Sequence, residues 1–568
     1  MKRFLALVLS LAMILTVFLM AGCGDGTTET TSSTSTSGTT GSESGTEEST
    51  PGTSTETAET TRTDSTPGTT ASTPDDTSDE TTGSTSTSGT TGSESGTEES
   101  TPGTSGGAVE PTRTDSTPGT SASTSGTTAE LDGYNKLDGF EDVDFGGATF
   151  TIAAVDDDGI WNEVYSSEAD TISVAVQQRN KVIESLYNCN IEVMIVGDPY
   201  SFAMADRMNG QETIQAYMVQ FGGKPRAESG ENYNLYNLGI NFENPWWDQT
   251  YVNSFRVRKN NGSMALYLAV GDFALTTFNE TRALIVNNTV LENSPITDDI
   301  YELVRNHEWT MDKFVEMIKA IAASQGGNYN RYWSEGDIMG WVRTSDAAHA
   351  LHVASGLSII ENNDGVMNFA ASEHLAEWDS VIDKAISLWN MDETQGVEDI
   401  SPLIVHEVAK SSNVLFFSAG LDVLREADGA SVSVVPYPLY STSQENYAHF
   451  VDNSFCAYAV PTTVSNPAAM GQFLEVYAFH SRYLVRPAWV DAYSSEYCSN
   501  PNAAEMLEII LDTRTYDPGY LWWSQYESSF SGFVENAQNE VSRWNDRNAA
   551  TIQNDINTFV EKISSREN

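Results

Sequence analysis

Between Gly24 and Gly133 the chain contains no Phe, Trp or Tyr. Ser, Thr and Gly fill the stretch, and residues 24–130 hold 18 Asp and Glu against two Arg, Arg62 and Arg113. A segment without apolar surface cannot offset the conformational entropy that folding costs. The tract over residues 23–131 is therefore read as a disordered linker, and it confines any packed core to residues 132–568. All twelve Trp lie there. Roughly 440 residues can bury a large core, and a core of that size usually divides in two.

The tract has an internal order. Ser33–Ser54, "STSTSGTTGSESGTEESTPGTS", recurs without change at Ser84–Ser105, and "TRTDSTPGT" recurs at Thr61–Thr69 and Thr112–Thr120. Both pairs share an offset of 51 residues, so one duplication explains them. Solenoid repeats carry apolar positions that stack on their neighbours, and these units carry none. As a flexible coil the tract has a mean span of roughly 60 Å, and pulled out it reaches roughly 360 Å. Its Gly103-Thr-Ser-Gly-Gly107 matches the serine-hydrolase elbow pattern, but that elbow needs a strand before it and a helix after it, so the match is discarded.

Ahead of the tract, "MKRFLALVLSLAMILTVFLMAGCGDG" has the layout of an export leader. Lys2 and Arg3 precede the apolar run Phe4–Met20, and Ala21 and Gly22 precede Cys23. The end of this run resembles the lipobox of bacterial lipoproteins, with Met20 where Leu is commoner. That resemblance implies a leader over residues 1–22 and lipidation of Cys23. The alternative is an uncleaved anchor, since the run is close to the ~20 residues that span a bilayer. Either puts the rest of the chain outside the cell. The net charge of −51 repels phosphate backbones, which argues against nucleic acid as a partner. The remaining cysteines, Cys189, Cys456 and Cys498, show no CxxC spacing and read as small buried apolar residues.

Aromatics begin at Tyr134. "GGATFTIAAV" (Gly146–Val155) predicts a buried strand, the 3.6-residue period of Ile172, Val176, Ile183 and Leu186 predicts a helix over about 170–188, and "NIEVMIV" (Asn190–Val196) predicts a second strand. Strand, helix, strand in this order makes a βαβ unit with a parallel sheet. Thr310 is the expected N-cap of a helix that turns Phe314, Ile318 and Ile321 to one face. "SNVLFFSAG" and "ASVSVVPYP" predict strands, a helix is expected from Pro467, and "VENAQNEVSRWNDRNAATIQNDINTFVEKI" reads as helix throughout. The class is α/β, with more helix than strand.

The order of segments then resembles one family. "DTISVAVQQRNKVIESLYNCNIEV", "NPWWDQ", "LYLAVGDFAL", "TRALIVNNTVLEN", "YELVRNHEWTMDKFVEMIKAI", "VVPYPLYSTSQENYAHF", "AVPTTVSNPAAMGQFLEVYAFHS" and "AAEMLEIILDT" are similar, in order, to stretches of the family 1 extracellular solute-binding proteins of ABC importers, the sugar-binding branch. They cover nearly all of residues 140–520. The departures are Phe202–Gly230, which lacks the usual acidic strand end, Asn288, where Lys is frequent, and the shortened loop "GGNYNRYWSEG". The resemblance implies a type II periplasmic-binding-protein clamp of two α/β lobes joined by crossing strands. Crossings are expected near Ala283–Asn288, His449 and Arg482. Lobe one would combine residues of about 140–284 and 449–482, and lobe two those of about 288–445 and 486–568. It further implies a carbohydrate ligand, the transmembrane subunits of an ABC permease as partners, a monomer, no cofactor and no catalysis.

Neutral sugars are held by aromatic faces and by hydrogen bonds from Asp, Asn, Glu and Arg. In α/β folds such groups sit just beyond the strand ends. That rule selects Trp161 and Asn162 after the first strand, Asp272 after "LYLAVG", Trp341 after "GDIMG", and Tyr437 and Tyr440 after "SVSVVP". Trp522, with Trp523, is a candidate lining of the cleft from lobe two, while Trp246 and Trp247 in "NPWWDQ" read as scaffold. Two other functions stay open: a cell-surface carbohydrate-binding adhesin, which the stalk-like tract fits, and a glycoside-acting enzyme, which needs two carboxylates across the scissile bond. With 80 Asp and Glu in the chain, finding a pair is uninformative. None of the seven His forms HExxH. "DDDG" (Asp156–Gly159) fails the EF-hand spacing, which needs acids at Ala154 and Tyr165.

Overall fold

The computed structural model describes residues 134–155, 160–220, 223–325, 339–396, 410, 413–427 and 429–566. The leader with Cys23, the duplicated tract, the Asp156–Gly159 turn and the loop 326–336 lie outside the described residues.

Gly146 and Gly147, at φ 65° and 81°, turn the chain into the strand Ala148–Val155, whose residues 150–154 are buried. Asp170 caps the helix Thr171–Tyr187, its carboxylate accepting from the amides of Ile172 (3.1 Å) and Ser173 (3.0 Å). Asn188 ends that helix at φ 52°. The strand Cys189–Val196 then pairs with the first in parallel, Ala148 opposite Cys189, which completes the expected βαβ unit. Ala216–Val219 adds to the other edge, also parallel. The fourth strand, Ala457–Ala459, arrives from far along the chain and runs antiparallel to Ala216–Val219. The sheet order is 457–459, 216–219, 148–155, 189–196.

Lobe two repeats the plan with five strands, ordered Thr394–Gly396, Met339–Arg343, Val414–Gly420, Arg282–Asn287 and Val432–Val435. Arg282–Asn287 runs antiparallel to both its neighbours, and the other strands share one direction. Each sheet thus has one antiparallel strand, and in each it is the strand that has just crossed from the other lobe. The two crossing segments meet where Thr281 bridges Val451. The expected first crossing, Ala283–Asn288, overlaps a strand already inside lobe two, so the chain changes lobes a few residues earlier, at 280–282.

The third passage is helical. Pro467–His480, capped by Asn466, runs through a π-helical turn (Ser481–Val485), a helix (Arg486–Ala492) and a second π-helical turn (Tyr493–Tyr497). The helix Ala503–Asp512 then packs on the lobe-two strand Val432–Val435, and Arg514–Thr515 pairs with the returning His449–Phe450. Thr310 caps as expected, its hydroxyl accepting from the amide of Lys313 (3.3 Å), and Phe314, Ile318 and Ile321 are buried. The expected continuous C-terminal helix is two helices, Ser524–Glu535 and Val541–Ser564. Ala537, at φ 53°, breaks them apart. Cys189, Cys456 and Cys498 are buried, and none forms a disulfide with another. Among the described residues no helix is long and apolar enough to cross a membrane.

Candidate functional site

Parallel strands end at the same edge of a sheet, and ligands of open α/β folds bind there. In lobe two that edge gathers charge around Arg282, the first residue of its antiparallel strand. The guanidinium meets Asp346 Oδ2 at 2.5 Å, Glu280 Oε2 at 3.3 Å and Asp452 Oδ2 at 3.6 Å. Asp346 follows the strand Met339–Arg343, while Glu280 and Asp452 stand on the two crossing segments. Asp452 also accepts from the Tyr520 hydroxyl (2.8 Å). Asp422 follows the strand Val414–Gly420 and completes the ring of acids. The guanidinium reaches this position because residue 420 is glycine: a Cβ there would lie 2.6 Å from Arg282 Nη1 and 2.5 Å from Asp422 Oδ1.

The charges do not balance. Burial, opposed by Arg282 and aided by Asp422 and Asp452, pushes the Glu280 carboxyl up to about 7. Asp422 is solvent-exposed, yet the protein around it also raises its carboxyl. Asp452 goes the other way: Arg282, Ser454 and Tyr520 outweigh its burial and hold it below the usual carboxylate range. Asp346 keeps Oδ1 buried without a partner.

On the lobe-one side the turn Ile160–Glu163 follows the first strand. Glu163 is buried and accepts from Tyr458 Oη (2.6 Å) and from the amide of Thr276 (2.9 Å), so it ties this turn to both crossing regions. Burial pushes its carboxyl to about 7. At 3 % exposure it is closed to any substrate, which leaves it a structural role. Asn162 beside it is half-buried, with Oδ1 buried and unpartnered. The helix Leu275–Asn279 packs on both this turn and the lobe-two turn Leu421–Glu426, so the two walls flank one hinge segment.

Several residues expected at the cleft lie elsewhere. Trp341 is fully buried in the lobe-two core against Phe314 and Trp389, and its indole donates to Ser418 Oγ (2.9 Å). Tyr437 is buried beside it and donates to the same hydroxyl (2.7 Å). Both side chains point into the sheet's packing layer, which position along a strand cannot reveal. Tyr440 sits outside the sheet, with its hydroxyl 2.6 Å from Ser380 Oγ and Lys384 over its ring. Asp272 is buried between Arg482 (3.1 Å) and Arg486 (3.5 Å), so it serves the hinge. Trp522 packs on Phe255 and Phe559 in an apolar gap between lobe one and the C-terminal helix. Trp161 lies in the turn 160–163. Trp246 and Trp247 are scaffold: both indoles donate to Glu475 Oε2, at 2.7 and 3.2 Å. Sequence reading missed Arg282, Glu280, Asp346, Asp422 and Asp452. The signal for Asp422 and Asp346 was an acid just past a buried strand, the logic that selected Asp272.

This geometry frames the comparisons. No family model matches the chain, and no curated protein matches it. Solved structures do resemble it. A family 1 extracellular solute-binding protein from Bifidobacterium longum subsp. infantis is 13% identical, with a TM-score of 0.45, over 73% of this chain and 100% of that one. The sugar-binding protein MalE from Xanthomonas citri is 11% identical, at 0.44, over 73% and 98%. The galacto-N-biose-/lacto-N-biose I-binding protein of a Bifidobacterium longum ABC transporter, solved with lacto-N-biose, is 13% identical, at 0.42, over 74% and 96%. Among the described residues no group of three or more His, Cys, Asp or Glu could hold a metal ion.

Proposed function

We propose that this chain is a lipid-anchored extracellular substrate-binding protein that captures a carbohydrate, an oligosaccharide, and delivers it to an ABC importer. The observation that carries the reading is the pair of sheets that exchange their antiparallel strands. It leaves two lobes connected by three passages, with polar strand ends facing the hinge. Such a clamp closes by hinge bending. Arg282 as donor and the carboxylates around it as acceptors are the group types that hold sugar hydroxyls. Asp346 Oδ1 and Asn162 Oδ1 are buried acceptors without a partner, which a ligand could reach only with the lobes apart, and Trp161 is the proposed stacking face from lobe one. Cys23 is the proposed lipid attachment, and the Ser/Thr/Gly tract the tether that lets a monomeric clamp travel between medium and permease. No catalytic step is proposed.

Calorimetric titration of the full chain against oligosaccharides, amino acids and peptides tests this. The expected result is saturable micromolar binding of an oligosaccharide with no new reducing ends. Hydrolysis would move the protein to the glycoside-acting enzymes. Adherence to polysaccharide or cells, without a small ligand, would make it an adhesin. Deleting one copy of the duplicated segment leaves affinity unchanged if the tract is a passive tether.

A further inference from the structure

We propose that the C-terminal helix Val541–Ser564 is a strap that holds the two lobes together at one end of the cleft and must release before the clamp opens. The inference rests on the two-lobe clamp reading above.

The first half of the helix belongs to lobe two. Asn545 Oδ1 accepts from Ser372 Oγ (2.8 Å), and Gln553 Oε1 accepts from the amide of Phe369 (3.0 Å). The second half reaches lobe one. Lys562 Nζ lies 3.1 Å from Glu228 Oε2. Just past the helix, Arg566 donates to the carbonyl oxygens of Ala227 (2.7 Å) and Glu228. Phe559 and Ile563 close an apolar seam against Tyr251, Phe255 and Leu268 of lobe one. Lys224 places its ammonium 3.9 Å from the centre of the Trp523 ring.

The receiving segment, Lys224–Glu228, begins just past the parallel strand Ala216–Val219. It therefore stands at the strand-end edge of lobe one, where the ligand cleft runs. A second grip lies beside the first. The hairpin formed by Ile360–Asn363 and Val366–Phe369 presents Asp364 to Arg256 (3.4 Å) and Arg258, and Asn362 donates to the carbonyls of Ser254 (3.0 Å) and Arg256 (2.7 Å). Gly365 permits that approach: its φ is +85°, and a Cβ would come within 2.6 Å of the Arg258 amide. Because Phe369 is bonded to Gln553 of the helix, the two grips move together.

Half of this grip is ionic and exposed. Lys562 is 53% exposed, and exposed pairs weaken with salt. A spin-label distance measurement on the full chain reads the lobe separation. Labels go at Met208→Cys (87% exposed, lobe one) and Glu445→Cys (exposed, lobe two), with Cys23→Ser. The other cysteines are buried. Without ligand, one short distance dominates. Lys562→Glu raises the long-distance population roughly two- to tenfold, adding Glu228→Lys restores the original distribution, and 1 M salt shifts the parent chain the same way as Lys562→Glu. A distribution that Lys562→Glu leaves unchanged, or that the second substitution does not restore, overturns the strap. The two ideas fail separately. Oligosaccharide binding with an unresponsive distance retires the strap alone, and a responsive distance with no oligosaccharide bound retires the carbohydrate reading alone.

Discussion

At the scale of single residues, two charged side chains organise distant parts of the chain. Glu475 accepts from the amide of Asn241, the Asn244 side chain and both indoles of Trp246 and Trp247. Glu475→Ala leaves those buried donors unpaired and is expected to cost about 3–5 kcal/mol, read as a lowered denaturation midpoint. Glu475→Gln keeps an acceptor and loses less. Arg282 is the other hub. Arg282→Met strands Glu280, Asp346 and Asp452 without their cation, so stability falls and, on the proposed carbohydrate-binding function, oligosaccharide affinity falls with it. An Arg282→Met protein that binds as tightly as the parent would remove this charged cluster from the proposed ligand site. The family resemblance marked the aromatic pair as scaffold, yet nothing local in "NPWWDQ" points to a carboxylate more than 200 residues away. Likewise Trp341 and Tyr437 follow the strand-end rule in sequence, but both turn inward to share Ser418. Which way a side chain faces depends on neighbours the chain supplies later.

At the scale of elements, local signals were reliable and long-range ones were silent. The caps at Thr310 and the start at Pro467 follow from side chains that satisfy the first free amides of a helix. The parallel pairing of the first two strands follows from their apolar runs and the helix between them. The two antiparallel strands carry no such mark, because a strand's partner is set by topology. The break at Ala537 was also invisible, since an alanine in the left-handed region contradicts local preference; the turn is closed by the amides of Ala537 and Gln538 donating to the carbonyls of Val534 (3.1 Å) and Phe533 (2.9 Å). Gly471 shows how tightly the elements meet. A Cβ there would run into the backbone carbonyl of Leu238, and backbone cannot step aside as a side chain can. Gly471→Ala, which ordinarily favours a helix by ~1 kcal/mol, is therefore expected to destabilise by about 1–3 kcal/mol. A raised midpoint in thermal unfolding would show that the helix and Leu235–Leu238 are not in contact.

At the scale of the whole molecule, buried ionisable groups give stability an unusual pH profile. Burial holds His352, His449 and His480 neutral down to about 3, well under the ordinary 6.5. The unfolded chain takes up those protons first, so their contribution is complete above 6.5 and is lost as pH falls toward 3. Burial raises Glu163, Glu280 and Glu527 to about 7 from 4.5. Here the folded state keeps the proton, so stability is present below 4.5 and is lost as pH rises to 7. Asp272, Asp422, Glu475, Asp517 and Glu535 are raised in the same direction, so the raised carboxyls outweigh the histidines and denaturation midpoints should decline as pH rises from 4.5 to 7. Glu163→Gln removes one descending slope and makes the decline shallower by up to ~3 kcal/mol. A parent chain whose midpoint climbs steadily from pH 4.5 to 7 would contradict this. The exchanged strands carry a further consequence, in time. The edge of Ala216–Val219 waits for Ala457–Ala459, about 240 residues later in synthesis. At ~5–20 residues per second that is roughly 10–50 s, during which an open strand edge invites pairing with another chain. Fragments that stop short of residue 457 should therefore clump, and keeping the nascent chain unfolded until its last strand has left the ribosome is the safer route to the native state.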